Sequence, residues 1–397
     1  MRVVHVLPKF STSVWGGAET LVAALAKTWT AGRVEVWTCR LPGDRARERI
    51  GCAEVRRFAA FFPGGRTGVG DGRAGLPPVL FARLARVPRP QTIVHVHCHN
   101  RLAAGVIAAC RLLGLRTVLT VHSRVMRLGP RWRYWFPNEY PLRGADVVAA
   151  VSEAVRGQVR SVAGRAEVEL VPNGVDLRWI NGGDRLRGRR HLGVDREAQV
   201  ILFCGRISRI KNLDALLQAT RQLAEDVPDI RLVIVGPAAD PEYAAELRHR
   251  VAQSRLRGRV SFVGPVPSGS VALADFYAAA DVVAVPSTWE AHPMSVLEAW
   301  GAGRTVVVAD VGGMGELVRQ QGVGRLWDPR TGGSGLAREI QQALRQTRDG
   351  SALEQRARAA AGRFDIRRTA ASYQRLYEDL LSRRTDCMHP REERSGR

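Results

Sequence analysis

Lysine is almost missing from this chain. Only three of its sixty basic residues, Lys9, Lys27 and Lys211, are not arginine, and the formal net charge is +22 over 397 residues. Such an excess would draw nucleotide sugars, anionic lipid or nucleic acid. A skew this complete toward arginine fits a composition-biased genome equally well, so charge alone selects no partner. Cysteine is sparse and unpatterned. The six, at 39, 52, 98, 110, 204 and 387, contain no C-x-x-C pair, which argues against a zinc ribbon, a disulfide scaffold and a dithiol redox centre. Several sit in apolar runs, where a thiol is a small hydrophobe, and a reducing cytoplasm is the expected compartment. Long apolar stretches are missing too. The longest candidate, 102–115, is interrupted by Arg111, short of the roughly 18 residues that mark a spanning helix. The N-terminus opens on a strand pattern with no secretory apolar core. The expectation is a cytoplasmic protein, with peripheral contact at the inner membrane face left open.

What is present is a rhythm. Short β-branched runs at 3–7, 34–39, 93–96, 117–121, 147–151 and 168–171, then at 200–204, 231–235, 260–263, 282–286 and 305–309, alternate with helical patterns. That is the signature of parallel sheets covered on both faces, an α/β fold. The length suits two domains. The stretch 177–198, with Asn181-Gly182-Gly183 and the basic run 185–190, carries no apolar period and reads as the interdomain boundary. The expected organisation is a domain over 1–178, a second over 179–364, a helix over 365–381 bearing Tyr373, Leu376 and Tyr377, and a disordered tail over 382–397. A glycine-rich stretch, 63–78, reads as a loop. After 212 the apolar residues keep helical spacing, with Asn212 as cap.

The most informative segment is 286–303, Pro-Ser-Thr-Trp-Glu-Ala-His-Pro-Met-Ser-Val-Leu-Glu-Ala-Trp-Gly-Ala-Gly. Eight positions of helix would turn Glu290 and Glu298 about 80° apart, so one helical face does not account for them. Pro293 at the first helical position does: Glu290 falls in a loop, Glu298 in the second turn, and the amides of Met294 and Ser295 are left for a ligand. The segment follows an apolar strand, at the sheet end where open α/β folds bind ligands.

Other motifs gain weight from position. Gly16-Gly17-Ala18-Glu19 joins strand to helix and permits close backbone approach, though without dinucleotide-binding spacing. Residues 205–212, Gly-Arg-Ile-Ser-Arg-Ile-Lys-Asn, set Arg206, Arg209 and Lys211 before a helix. Each cation near a diphosphate contributes on the order of 4 kcal/mol gross at ~4 Å and an effective dielectric near 20; Arg209 is equally a solvated loop residue. Pro172-Asn173-Gly174-Val175-Asp176 reads as a turn, and Ser152 as a helix cap. His95, His97 and His99 alternate on one strand, a spacing that a metal would need, but no carboxylate lies near in sequence and no metal is expected. His122 ends the next strand at the same edge. His292, between the glutamates, is placed to bond substrate. Residues 124–143 mix arginines with Trp132, Tyr134, Trp135 and Phe136, which suits an acceptor groove, a membrane interface, single-stranded nucleic acid or a loop packed on its own domain.

With these motifs in order, the chain resembles the retaining glycosyltransferases of the group 1 family, family 4, over about residues 1–380. The resemblance rests on Glu290–Glu298, residues 205–212, 172–176 and Gly312-Gly313-Met314-Gly315-Glu316. It implies the GT-B fold: two facing Rossmann-like domains with an interdomain cleft, and a last helix crossing back to the first domain. It implies a UDP- or GDP-type nucleotide-sugar donor, a hydroxyl acceptor of unknown identity, no cofactor and no nucleic acid. Arg206 and Lys211 would bind the diphosphate, Glu298 the ribose, Glu290 and the amides at Met294 and Ser295 the sugar or phosphate. Gly16 and Gly17 would face phosphate and acceptor, with His122 beside the donor sugar. The implied catalytic set is Glu290, His122, Arg206 and Lys211. Two departures, Ala291 in place of a glycine and Arg304-Thr305, would bear on donor choice. An epimerase of the same fold, a glycoside hydrolase and a non-catalytic polyanion-binding protein are the competing readings.

Overall fold

The computed structural model describes residues 1–10, 16–41, 43–59, 78–126, 138–347 and 350–386. Two sheets organise it. The first contains β1 (Arg2–Lys9), β2 (Arg33–Cys39), β3 (Arg47–Ile50), β4 (Ala53–Phe58), β5 (Thr92–Val96), β6 (Arg116–Val121), β7 (Val147–Ala150) and β8 (Glu169–Leu170), in the order β3-β4-β2-β1-β5-β6-β7-β8. Only the β3–β4 pair is antiparallel. The second contains β9 (Gln199–Cys204), β10 (Ile230–Val235), β11 (Val260–Gly264), β12 (Val282–Val285), β13 (Thr305–Ala309) and β14 (Arg325–Trp327), all parallel, in the order β11-β10-β9-β12-β13-β14. The central strands are covered by helices on both faces, which is why they read as unbroken apolar runs.

Three strands lie outside the apolar runs. β3 and β4 alternate in burial, and β4 carries Arg56 and Arg57 among its residues; Arg56 pairs with Glu35 and Glu54. Charge pairs and the alternating buried residues Ala53 and Val55 together seat this hairpin, with β3 at the sheet edge. β14 is three residues long.

The stretch expected to be a loose linker is helical. Helices Leu177–Ile180 and Arg185–Leu192 are capped by Asp176 and Asp184. The basic run is held by carboxylates: Arg187 on Asp275, Arg185 and Arg189 on Asp281. Buried Arg189 also donates to the carbonyls of Asp195, Arg196 and Ala198. Ionic anchoring replaces the apolar period that a surface helix usually shows. Gly188 lets this helix approach helix Val271–Ala279, since a Cβ there would lie 2.2 Å from the Asp275 carbonyl oxygen.

The last helix runs over Ile366–Asp386, so residues 382–386 continue it rather than belonging to a tail; 387–397 lie outside the described residues, as does most of the glycine-rich stretch 63–78. This helix buries Tyr373 and Tyr377 in the core of the first sheet, with Val3, Leu7, Ile93 and Val118. Just before it, Val175 and Ile366 exchange backbone bonds with the neighbouring crossing segment: Val175 N–H donates to Phe364, Ile366 N–H to Val175. No described helix is long and apolar enough to cross a membrane.

Candidate active site

The loops after β1, β6, β8, β9 and β12 converge on one cleft of about 200 Å³, open to solvent. Strand order reverses at β1 in the first sheet and at β9 in the second, the crevice positions where open sheets bind ligands. All ten predicted site residues line the cleft: Gly16, Gly17, His122, Arg206, Lys211, Glu290, His292, Met294, Ser295 and Glu298.

Each arrives by a local device. Lys211 ends a short 3-10 turn, Arg209–Lys211, after which Asn212 takes a left-handed conformation, φ 51°. Asn212 does precede helix Leu213–Asp226, but its side chain makes no cap bond. It redirects the chain instead, and the Thr288 amide ties the turn to the glutamate loop through the Ile210 carbonyl at 2.8 Å. Lys211 then pairs with Glu290, and Ser287 donates to the same carboxylate at 2.9 Å. Arg206 is exposed on the cleft wall. Arg209 turns away, onto Glu246 and over the Tyr243 ring.

Pro293 is the cap of helix Met294–Gly301, one position earlier than expected. The consequence holds: it brings no side-chain acceptor, so the amides of Met294 and Ser295 open the helix uncapped. Glu298 lies in the second turn, buried, and accepts from Tyr277 at 2.6 Å. Burial raises its pKa to about 7. The helix end at Gly16-Gly17 differs. The Glu19 carboxylate folds back over it, 2.0 Å from where a Gly16 Cβ would stand, near Lys9 and Arg206, and burial raises its pKa. That N-terminus already holds its own carboxylate; the free one belongs to Met294.

The histidines are grouped differently from the strand pattern. His95 and His97 pack with centroids 3.9 Å apart and planes tilted by 33°, but β5 ends at Val96, and His99 departs toward Ser123. The third member is His5, on β1. Ring nitrogens of His5, His95 and His97 all lie within 4.8 Å of one another, a spacing a metal can bridge. Both nitrogens of His95 are taken by Tyr377 and Thr120, and both of His97 by His5 and His122, so the cluster is a hydrogen-bond network. His292 buries its ring against Phe364, burial lowers its pKa to about 3, and its carbonyl accepts from Asn173 Nδ2 at 2.9 Å.

The glycine pair at 312–313 supports the glutamate loop from behind. Gly313 N–H donates to the Glu290 carbonyl at 3.0 Å, and a Cβ on Gly313 would lie 1.9 Å from the Ala291 carbonyl and 2.5 Å from Ser152 Oγ. Glu316 accepts from the amides of Glu153 and Ala154, at 3.1 and 3.0 Å, so a residue after β13 caps a helix after β7. Asn212 is the one described non-glycine residue with positive φ; Ala291 therefore sits in ordinary conformation and needs no glycine. Arg304 lies outside the cleft lining, paired with Glu354, which removes the expected bearing on donor choice.

Two groups that shape the cleft escaped the sequence reading, and a third, Asn173, entered it only within the turn motif 172–176. Tyr277 is hidden in an apolar helix pattern. Ser287 follows β12 directly, a position that marks it. Asn173 reads as a turn residue. Residues 127–137 of the arginine–aromatic segment lie outside the described residues; its end, Tyr140–Gly144, is a short helix with Leu142 fully buried.

Residues 184–361 match the family model described as glycosyl transferases group 1, and residues 15–179 match glycosyltransferase family 4. A D-inositol 3-phosphate glycosyltransferase of Nocardioides sp. is 33% identical over 341 residues, covering 78% of this chain and 74% of that protein. One from Kineococcus radiotolerans is 32% identical over 338 residues, covering 77% and 76%. Among solved structures, Anabaena HepE in complex with UDP-glucose superposes with a TM-score of 0.75 at 23% identity, covering 96% of this chain and all of that one. Sucrose-phosphate synthase from Thermosynechococcus elongatus gives 0.77 at 21% identity, covering 96% and 99%.

Proposed function

The chain belongs to the group 1, family 4 glycosyltransferases with the GT-B fold, and from that premise we propose that it moves a hexose-type sugar from a nucleotide-sugar donor to a hydroxyl acceptor with retention of configuration. One observation carries the reading. Two cations, two uncapped helix amides and two carboxylates, from loops after β9 and β12, line a single cleft. Arg206 and Lys211 meet the diphosphate, whose charge grows as the glycosidic bond breaks, and stabilise it as it leaves. The amides at Met294 and Ser295 take phosphate or sugar oxygens. Glu298, steadied by Tyr277, accepts from ribose hydroxyls, and Glu290 is held beside the sugar by Lys211 and Ser287.

In this mechanism the sugar C1–O bond to phosphate breaks while the acceptor oxygen bonds C1 from the same face. The acceptor proton passes to the departing phosphate oxygen, so no protein nucleophile is used. The protein contributes position and charge, with two fixed cations in the role a metal would otherwise take. The UDP-glucose bound by HepE supports a UDP-sugar as the first donor to try, and the naming of the relatives supports a polyol phosphate as the first acceptor. Mass-resolved transfer from a panel of nucleotide sugars tests this. Folded Lys211→Ala and Glu298→Ala variants are expected to lose at least about 100-fold; unchanged transfer in both would remove the site assignment.

A further inference from the structure

Behind His122 the first sheet holds a line of imidazoles. His122 Nε2 lies 3.1 Å from His97 Nδ1, and His97 Nε2 lies 2.9 Å from His5 Nδ1. The line follows from topology. β1, β5 and β6 are neighbours, His5 is the register partner of His95, and His97 is two residues beyond it on the same face. His5 and His97 are buried. Desolvation holds the pKa of His5 and of His122 near about 4, and that of His97 well below its ordinary value, so all three rings are neutral at neutral pH.

A neutral imidazole has one N–H and one bare nitrogen. Three joined in line therefore have two arrangements: every proton points toward the cleft, or every proton points away. The far side of His122 decides between them. His122 Nδ1 and Asn173 Oδ1 are both buried, neither meets another partner, and Asn173 is the side chain that acts on the His122 ring, favouring its protonated form against the effect of burial. The amide orientation of Asn173 is set chemically. Its bond to the His292 carbonyl requires a donor, so Nδ2 is engaged and the free atom is an acceptor. With Nε2 of His122 already engaged by His97, a neighbour whose free atom is an acceptor calls for the proton on Nδ1.

We propose that His97 and His5 are positioning residues that hold His122 in its Nδ1–H form: His5 Nδ1–H donates to His97 Nε2, His97 Nδ1–H donates to His122 Nε2, and His122 Nδ1–H is directed at Asn173 Oδ1, which fixes the ring where it borders the cleft. His95, pinned by Tyr377 and Thr120 and packed against His97, keeps the middle ring from turning. The effect on transfer rests on the glycosyltransferase reading; the tautomer does not.

Ring nitrogen-15 spectra of the full-length protein, with His122→Ala to assign its signals, test the arrangement. The expected pattern is a protonated Nδ1 and a bare Nε2 on His122. His97→Asn keeps an amide donor where Nδ1 stood and should preserve it. His97→Gln reaches toward His5 instead and should lose it, as should His97→Ala. In transfer assays the Gln and Ala variants should lose about 10–100-fold in kcat, with Asn recovering most of it. A protonated Nε2 in the wild type, or equal losses in Asn and Gln, would overturn the proposal. The spectra need no substrate, so an enzyme that moved no sugar would sink the functional reading and leave the tautomer assignment standing.

Discussion

The two halves of the cleft are built on opposite electrostatic plans. From the second sheet come Arg206, Lys211, Glu290 and Glu298, charged groups on loops and a helix start, above a core that is apolar strand after strand. From the first sheet comes one uncharged imidazole, His122, and behind it a polar seam through the core: His5, His95, His97 and Thr120, closed by the hydroxyls of Tyr373 and Tyr377. Charge can be presented from a loop because solvent and counter-charges steady it. A single neutral donor or acceptor needs its tautomer fixed, and that takes buried partners. The C-terminal helix is thus part of the first half's design, since its tyrosines complete the seam.

The sharpest way to break the comparison is at the seat shared by both halves. A methyl on Gly313 would meet the Ala291 carbonyl and Ser152 Oγ, one contact on each half, and backbone cannot yield cheaply. Gly313→Ala is expected to lower stability by about 3 kcal/mol and to cut transfer more than about 100-fold, by displacing the Glu290 loop. Gly157→Ala, in an open helix position with nothing within 4 Å, should be neutral or stabilising by up to about 1 kcal/mol. Thermal unfolding and transfer assays on the pair check both; an active, stable Gly313→Ala would show that the halves do not bear on each other there.

The plans also predict opposite responses to pH. In the first half, burial depresses the pKa of His5, His95, His97, His99 and His122. The unfolded chain binds protons there that the folded one refuses. Their contribution is present above the ordinary value of 6.5 and is lost as pH falls toward about 4. Glu298 works the other way. Its folded pKa of about 7 exceeds the ordinary 4.5, so its contribution is present below 4.5 and is lost as pH rises through about 7, on the order of 3 kcal/mol in all. Unfolding midpoints across pH should therefore fall steeply in acid, and Glu298→Gln should flatten only the neutral-side slope. Donor affinity should rise through the same window, as ionised Glu298 becomes the ribose acceptor.

How much of this was legible in the sequence follows the same division. Strand rhythm and the loops at strand ends brought the ten cleft residues together, because βα-loop position and residue type are local signals. What stayed hidden is held by distant partners. His5 meets His97 across 92 positions and Glu316 meets Glu153 across 163, separations that no local pattern encodes. β3, β4 and the helix Arg185–Leu192 were missed because arginines and glutamates interrupt the apolar runs that mark the other elements. At position 291 the family's usual glycine suggested a backbone constraint, and the ordinary φ of Ala291 shows none.

Glu316 gives the gentlest test of the comparison, because it joins the halves without belonging to the cleft lining. Its carboxylate accepts from the first two amides of helix Glu153–Ala163, a charge on a helix N-terminus worth about 1 kcal/mol. Glutamine keeps one acceptor and loses the charge. If the contact serves mainly to hold the two halves together around the donor, Glu316→Gln weakens donor binding by the equivalent of that energy, about fivefold in KM, with kcat nearly unchanged. If it serves only the helix it caps, the midpoint of unfolding drops by a few degrees and KM stays where it was. Measuring both on one preparation separates a tie between unlike halves from a cap within one of them.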